Sequence, residues 1–257
     1  MVVADVHVHT TRSDGTLTLD AVPAAARSAG VEVVGLTDHD RIQPALDAPV
    51  TEREGITLVH GIELRVDAGD LRIDLLGYGV EPTPELTDLV EEIQRDRAER
   101  GRAIIECVED RLGVELDVEP RPGLGRPHIA RAVADSPADY DYQDAFDHLI
   151  GDDCPCYVAR DIPTFERGRA VLAEACGVVG LAHPLRYEDP DAALNLTADL
   201  DAVERYYPYG HDADPSPVDR AIEAHDLLVT GGSDAHDEVL GRAGLDRPAT
   251  ERLLAAL

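Results

Sequence analysis

The chain has 257 residues, 44% of them hydrophobic, with 52 acidic residues against 23 basic ones and a formal charge of −29. Every basic residue is arginine and none is lysine, a bias expected of a protein adapted to high salt, where screening over a few Å removes most self-repulsion. Such charge excludes a broad basic face for gripping nucleic acid, and no stable nucleic-acid complex is expected, although a nucleotide held by metal ions and a few local arginines stays open.

The length suits one large α/β domain or a core carrying a smaller insert. The first residues read as a strand rather than a leader, and no run of about 18 apolar residues offers a membrane span. A cytoplasmic location is therefore expected. Of the four cysteines, Cys154 and Cys156 are neighbours without a second pair, which is not a zinc-ribbon pattern. Buried free thiols in a reducing compartment are the expectation.

In chain order, VVADVHV reads as a strand, LTLDAVPAAARSAG as a helix ended by Gly30, and VEVVGLTDH as a second strand. A short helix is expected over residues 42–48, then strands in GITLVHGIEL and DLRIDLLGYGV. This β-α-β rhythm points to a parallel sheet or barrel. Residues 82–150 read differently, as a charged helical insert: PELTDLVEEIQRDRAERGRAIIECVEDRLG, RPHIARAVADS and YQDAFDHLIG. The alternation then resumes with a helix in FERGRAVLAEACG, strands in VVGLAHP and LDAVERYYP, a helix in PVDRAIEAHD, a last strand in LLVTGGSDAH and a terminal helix in ATERLLAAL.

His7 and His9, at i and i+2, share one face of their strand, so both imidazoles can reach one point. Asp14 follows in the next turn. Further ligand-type side chains close other apolar strands: Asp38 and His39, Glu63 in GIE, His183 in AHP, and Asp234 with His236 in GSDAH. In an α/β barrel those strand ends converge on one mouth. A mixed His, Asp and Glu set without thiolate suits Zn, Mn or Fe in a catalytic role. More than four ligands implies more than one ion, and paired ions can activate a bridging hydroxide for in-line attack at phosphorus.

With DVHVHT, SDGT, LTDHD, GIE, RPHIAR, AHP and GSDAH in that order, the sequence resembles the PHP family over residues 5 to about 241. Within it the chain is similar to the branch of nucleoside 3′,5′-bisphosphate phosphatases and 5′-to-3′ exoribonucleases. The resemblance implies a distorted (β/α)7 barrel with an inserted helical cap and two to three divalent ions. By the family pattern, His7, His9, Glu63 and Asp234 would hold the first metal. Glu63 would bridge to a second held by His128 and His183, and Asp14, His39 and His236 would hold a third. The implied substrate is a small phosphorylated nucleotide or a short 5′-phosphorylated oligonucleotide. A metabolite phosphatase of the histidinol-phosphate type is the alternative, and a non-catalytic metal-binding module a further one. Oligomeric state is left open by the sequence.

Phosphate also needs cationic donors, for which Arg126 and Arg160 are the candidates. Asp38 is expected to orient a metal-bound imidazole, and Glu204 to hydrogen-bond at the site. His60 reads as a packing residue, His148 and His225 as helix-face residues, and His211 as a possible lining of the mouth. Arg41, where the family more often has Thr, and the cysteine-bearing CPCYVAR depart from the pattern without touching an expected ligand.

Overall fold

The computed structural model describes residues 1–210 and 212–257. They form two compact units, one of residues 1–87 with 162–257 and one of residues 88–161.

The first unit is built on a sheet in the order β1-β2-β4-β5-β6-β7-β8. Strand β1 (Ala4–Val8) is buried along its whole length and pairs in parallel with β2 (Val33–Leu36), which pairs in parallel with β4 (Ile56–Asp67). An isolated parallel bridge between Val8 and Ala235, just past β8 (Leu228–Gly231), brings the two ends of the order together. The sheet thereby curls into the distorted α/β barrel implied by the sequence, with the carboxyl ends of β1, β2 and β8 gathered.

The parallel pairing read from the β-α-β rhythm is interrupted in the middle of this order. β5 (Arg72–Tyr78) runs antiparallel to both β4 and β6 (Val178–Leu181). The cause is connection length: residues 68–71 make a hairpin, whereas a parallel crossover needs a dozen residues or more. A further strand absent from the sequence reading, β3 (Val50–Arg53), pairs antiparallel with β4. Its turn is Glu54-Gly55, both at positive φ (50° and 78°), as a two-residue hairpin requires. The helix expected over residues 42–48 is not formed. Pro44 and Pro49 interrupt it, and the Gln43 amide is spent on the His60 ring instead.

β6, β7 (Ala202–Tyr206) and β8 return to parallel pairing. Helices alternate with them, and their starts follow ordinary capping rules. Thr164 caps α5 (Phe165–Ala175), Asp189 caps α6 (Pro190–Asn195) and Asp246 caps α8 (Arg247–Leu254). α1 (Val22–Ala29) has Pro23 in its first turn and ends on Gly30 at φ 70°. α7 (Ser216–His225) ends on a left-handed Asp226. The numbers α2 to α4 belong to the intervening stretch of chain.

There, α2 (Pro84–Leu112), α3 (Arg126–Ala134) and α4 (Tyr142–Ala145), which runs into a π-type turn over Phe146–Ile150, carry the residues of the second unit. Its core includes Ile104, Val108, Ile129, Val133, Leu149 and Cys156. Cys107 and Cys156 are bridged by a disulfide, which corrects the expectation of free thiols for this pair. The two lie 49 residues apart in sequence, and their meeting depends on how the Cys-Pro-Cys turn packs on α2. Cys154 and Cys176 are free, and burial pushes the Cys176 thiol up to about 12. Among the described residues no helix is long and apolar enough to cross a membrane.

Candidate metal centre

The gathered strand ends of the first unit bring His7, His9, Asp14, His39, Glu63, His183, Asp234 and His236 together. His7 and His9 project from one face of β1 as their spacing requires. His7 Nε2 lies 3.4 Å from Glu63 Oε1 and 3.6 Å from Asp234 Oδ1. His9 Nε2 lies 3.0 Å from Asp234 Oδ1 and 3.4 Å from Glu63 Oε2. Glu63 reaches outward on both sides: Oε1 is 3.1 Å from His183 Nε2, and Oε2 is 2.7 Å from His39 Nδ1. His236 Nε2 lies 3.4 Å from Asp14 Oδ1, and its ring stacks on His9 with centroids 4.2 Å apart. Three groups emerge whose donor atoms lie within 4.8 Å of one another: His9, Asp14, His39 and His236; His7, His9 and Glu63; and Glu63, Asp74 and His183.

The supporting shell explains why these side chains converge. Glu204, fully buried on β7, places Oε1 3.0 Å from His7 Nδ1 and accepts the His183 backbone N–H at 2.7 Å through Oε2. It therefore fixes the His7 ring so that Nε2 faces the centre, in the hydrogen-bonding role expected of it. Asp38 acts differently from its expected part. Its carboxylate accepts the N–H and hydroxyl of both Thr10 and Ser13, at 2.7–3.2 Å. It pins the turn that presents Asp14 rather than orienting an imidazole, because four donors of that turn reach it first. Arg41 adds to the same turn by donating to the Arg12 carbonyl at 2.7 Å, which gives this departure from the family pattern a local role. Two glycines make room. A Cβ on Gly15 would meet the His9 carbonyl oxygen at 2.4 Å, and one on Gly232 would meet the His7 amide nitrogen and Cβ at 2.4 Å. His183 and Asp234 both adopt positive φ (28° and 50°), uncommon for side-chain-bearing residues and concentrated at functional sites.

The donor set fits divalent ions. His7 Nε2, both ring nitrogens of His9, Asp14 Oδ1, Glu63 Oε2, His183 Nδ1 and Asp234 Oδ1 are buried without a hydrogen bond of good geometry, although Glu63 Oε2 and Asp234 Oδ1 each have an imidazole nitrogen within 3.0 Å. Buried polar atoms are ordinarily satisfied, so a set of such atoms gathered around Glu63 fits the ligands of cations. The titration behaviour agrees. Burial would lift the Glu63 carboxyl, but His39 and His7 hold it well below its usual range. Burial would lower His39, and Glu63 with Asp14 reverses that to about 9. His7 is raised well above its usual value by Glu204, Glu63 and Asp234 against the cost of burial. His9 is lowered by burial and by His39.

His128 and the two candidate phosphate arginines belong to the second unit. His128 sits in the first turn of α3, where Nδ1 accepts the Gly125 N–H at 3.1 Å. Arg126 donates to Asp152 at 2.8 Å and to the Ile150 carbonyl at 3.3 Å, with Phe146 and Tyr157 rings beside it. Arg160 shares its surroundings with the buried Arg97 and Arg100. Burial, then repulsion from Arg126, Arg160 and Arg97, pulls Arg100 down to about 10. His60 is buried and accepts the Gln43 N–H at 3.2 Å, a packing residue as read. His148 and His225 are exposed on or beside helices. His211 lies outside the described residues.

Three residues at the centre escaped the sequence reading. Asp74, buried on β5, joins Glu63 and His183, and it binds Arg65 at 3.2 Å. An acidic residue inside the apolar run RIDLLGY was the available signal. Tyr207 and Arg186 both reach Asp234 Oδ2, at 2.8 Å and 3.2 Å. Arg186 follows His183 by three residues, a spacing that carried no motif of its own.

Residues 5–151 match the family model described as PHP domain. The chain is 32% identical to a phosphoribosyl 1,2-cyclic phosphate 1,2-diphosphodiesterase of Eggerthella lenta, over 91% of this chain and 94% of that one. It is 26% identical to a 3′,5′-nucleoside bisphosphate phosphatase of Chromobacterium violaceum, over 97% and 92%. Its fold matches a solved structure from Bifidobacterium adolescentis, described as a candidate metal-dependent phosphoesterase, with a TM-score of 0.81 at 24% identity, covering 98% of this chain and 96% of that one.

Proposed function

Since the chain belongs to the PHP domain family and is a metal-dependent phosphoric ester hydrolase, we propose that it cleaves a phosphate ester on a small ribose phosphate or nucleotide that carries a second phosphate. Both relatives named above act on substrates of that description, and the acidic surface favours a small substrate over long RNA. The observation that carries the reading is the set of buried donor atoms gathered around Glu63 without hydrogen bonds of good geometry.

In this reading His7, His9, Glu63 and Asp234 hold one ion, and Asp14, His39 and His236 hold another. Glu63 and His183 hold an ion on the remaining side, where Asp74 offers a further oxygen. By the family resemblance, His128 is proposed as an additional ligand, and Arg126 and Arg160 as phosphate contacts. The mixed nitrogen and oxygen set suits two to three ions of the Mn, Zn or Fe type. When bound, such ions lower the pKa of a coordinated water and neutralise charge developing on phosphoryl oxygens.

The chain's own residues supply the rest. Glu204 keeps His7 in one tautomer and orientation, and Asp38 keeps Asp14 at the centre. Burial of β1 and β4 holds the ligands in a setting that strengthens their electrostatics. In this reading no side chain serves as the nucleophile.

The test is an assay in high salt with Mn²⁺. Adenosine 3′,5′-bisphosphate, phosphoribosyl 1,2-cyclic phosphate, a short 5′-phosphorylated RNA and histidinol phosphate are offered separately. Preferential turnover of the first two is the expected result. Turnover of RNA ends alone would move the substrate to oligonucleotides, and turnover of histidinol phosphate alone to metabolites. Silence on all four with Mn, Zn and Fe would refute the reading and leave a metal-binding module.

A further inference from the structure

Asp234 divides its two carboxylate oxygens between different tasks. Oδ1 faces the histidines, 3.0 Å from His9 Nε2, 3.6 Å from His7 Nε2 and 3.5 Å from His236 Nδ1. Oδ2 faces the opposite way and accepts from the Tyr207 hydroxyl at 2.8 Å and from Arg186 Nη1 at 3.2 Å. Arg186 Nη1 also lies 2.9 Å from the Tyr207 oxygen. The protons can be counted. Tyr207 has one, and it goes to Asp234, so its oxygen accepts from Arg186. The two protons on Nη1 are then both used. Nε–H and the two protons of Nη2 remain, and among the described residues they have no protein acceptor. The side chain is 51% exposed.

Local backbone structure sets this arrangement. β6 delivers His183 to the centre, and a single 3₁₀ turn over Pro184–Arg186 follows, closed by the Arg186 N–H on the His183 carbonyl at 2.9 Å. The turn is short enough that both of its flanking side chains reach the centre, His183 at Glu63 and Arg186 at Asp234. Arg186 also lies over the Tyr207 ring, 5.7 Å from its centroid, a cation–π contact.

We propose that Arg186 is a substrate-binding residue that takes the phosphoryl group being cleaved through its Nε and Nη2 edge, and that Tyr207 is the positioning residue that aligns both Arg186 and Asp234. This rests on the phosphoesterase reading above and adds a residue that neither the motifs nor the ligand clusters assign. The edge left open is the planar fork that matches two oxygens of one phosphate. Carboxylates from Asp14, Glu63, Asp74, Glu204 and Asp234 also line the centre, and Arg186 would add to the proposed ions a cation held by the protein itself. When Asp234 commits Oδ1 to a metal, its charge is shared away from Arg186, whose own charge is then available to the phosphate.

The experiment uses metal-loaded full-length protein in high salt and inorganic phosphate as the probe. Binding is followed by calorimetry, bound metal by elemental analysis, and kcat and KM on the best substrate of the assay above. Arg186→Gln should keep the wild-type metal content and circular dichroism, and bind phosphate at least about tenfold more weakly, since a hydrogen-bonded charged contact is lost. KM should rise by a similar factor. Arg186→Lys should fall between, because a point charge replaces the fork. Tyr207→Phe should lower metal affinity about 10- to 100-fold, as loss of a ligand's hydrogen-bonding partner does. Wild-type phosphate affinity in both Arg186 variants, alongside normal turnover by the wild type, would overturn the proposal while leaving the phosphoesterase reading intact. Loss of metal in Arg186→Gln would overturn it too, by making Arg186 a buttress of Asp234. Failure of the wild type on every substrate would instead sink the reading on which it rests.

Discussion

Replacing Asp38 tests whether its role is to hold the Thr10–Ser13 turn. The carboxylate accepts two backbone N–H groups and two hydroxyls in a buried setting. In Asp38→Ala the hydroxyls can rotate toward other acceptors, but the Thr10 and Ser13 N–H groups cannot. Two stranded buried donors at about 1–3 kcal/mol each give a loss of about 4 kcal/mol. Asp38→Asn keeps an oxygen for both N–H groups, and its amide can donate to the Thr10 hydroxyl once that rotates. The loss is then the difference between charge-assisted and neutral hydrogen bonds, about 1 kcal/mol. Urea denaturation of metal-stripped protein at fixed molar salt reads both numbers without interference from metal binding. Elemental analysis of reloaded protein should show that Asp38→Ala loses the ion proposed for Asp14, His39 and His236 while Asp38→Asn keeps it. Equal destabilisation of the two variants, or full metal content in the alanine variant, would refute this account of the turn.

Asp234→Asn should lower turnover by at least about a hundredfold with little loss of metal-free stability, because the residue faces the centre rather than the core; initial rates at saturating Mn²⁺ check it. Gly232→Ala should displace His7 and weaken metal binding about tenfold or more, seen by titration against a chelator. His60 is held near 4 by burial, below the ordinary value of 6.5 that it regains on unfolding. Its stability contribution is complete above pH 6.5 and is lost as pH falls toward 4, about 3 kcal/mol in all. Wild type should thus lose about that much more than His60→Gln between pH 7 and 4, and parallel curves would contradict it. Cys107→Ser should destabilise the second unit by about 4 kcal/mol, the chain-entropy value for a 49-residue loop; equal urea midpoints for oxidised wild type and the variant would refute that.

Much of the centre was legible because its residues stand at strand ends and β-periodicity is short-range: His7 and His9 share a face whatever the rest of the chain does. The paired glycine and aspartate motifs worked for the same reason, since Gly15 and Gly232 touch the very strand that carries the histidines. What was not legible depends on long-range packing. Asp74 belongs to the centre because β5 is reversed by a short hairpin, and apolar periodicity is blind to strand direction. Asp38 could be seen as buried and polar, but which donors reach it is decided by the fold of residues 10–13. The disulfide depends on two segments far apart in sequence meeting in one core. The role of Arg186 hangs on a single 3₁₀ turn, too short to leave a period in the sequence.

Asp5, at the foot of the strand that bears His7 and His9, accepts the Ser233 N–H at 2.9 Å and the Gly241 N–H at 2.8 Å, and Ser233 lies 228 residues away. The centre is thus closed by a clasp between the earliest and the latest parts of the fold. During synthesis at about 5–20 residues per second, roughly 10–50 s separate the appearance of the two halves of that clasp. The His7–Val8–His9 segment exists through that interval without Asp234 or His236. Metal capture at full affinity is therefore an event of the finished chain. With the ligand set proposed above, the whole centre can hold an ion only once that last strand docks.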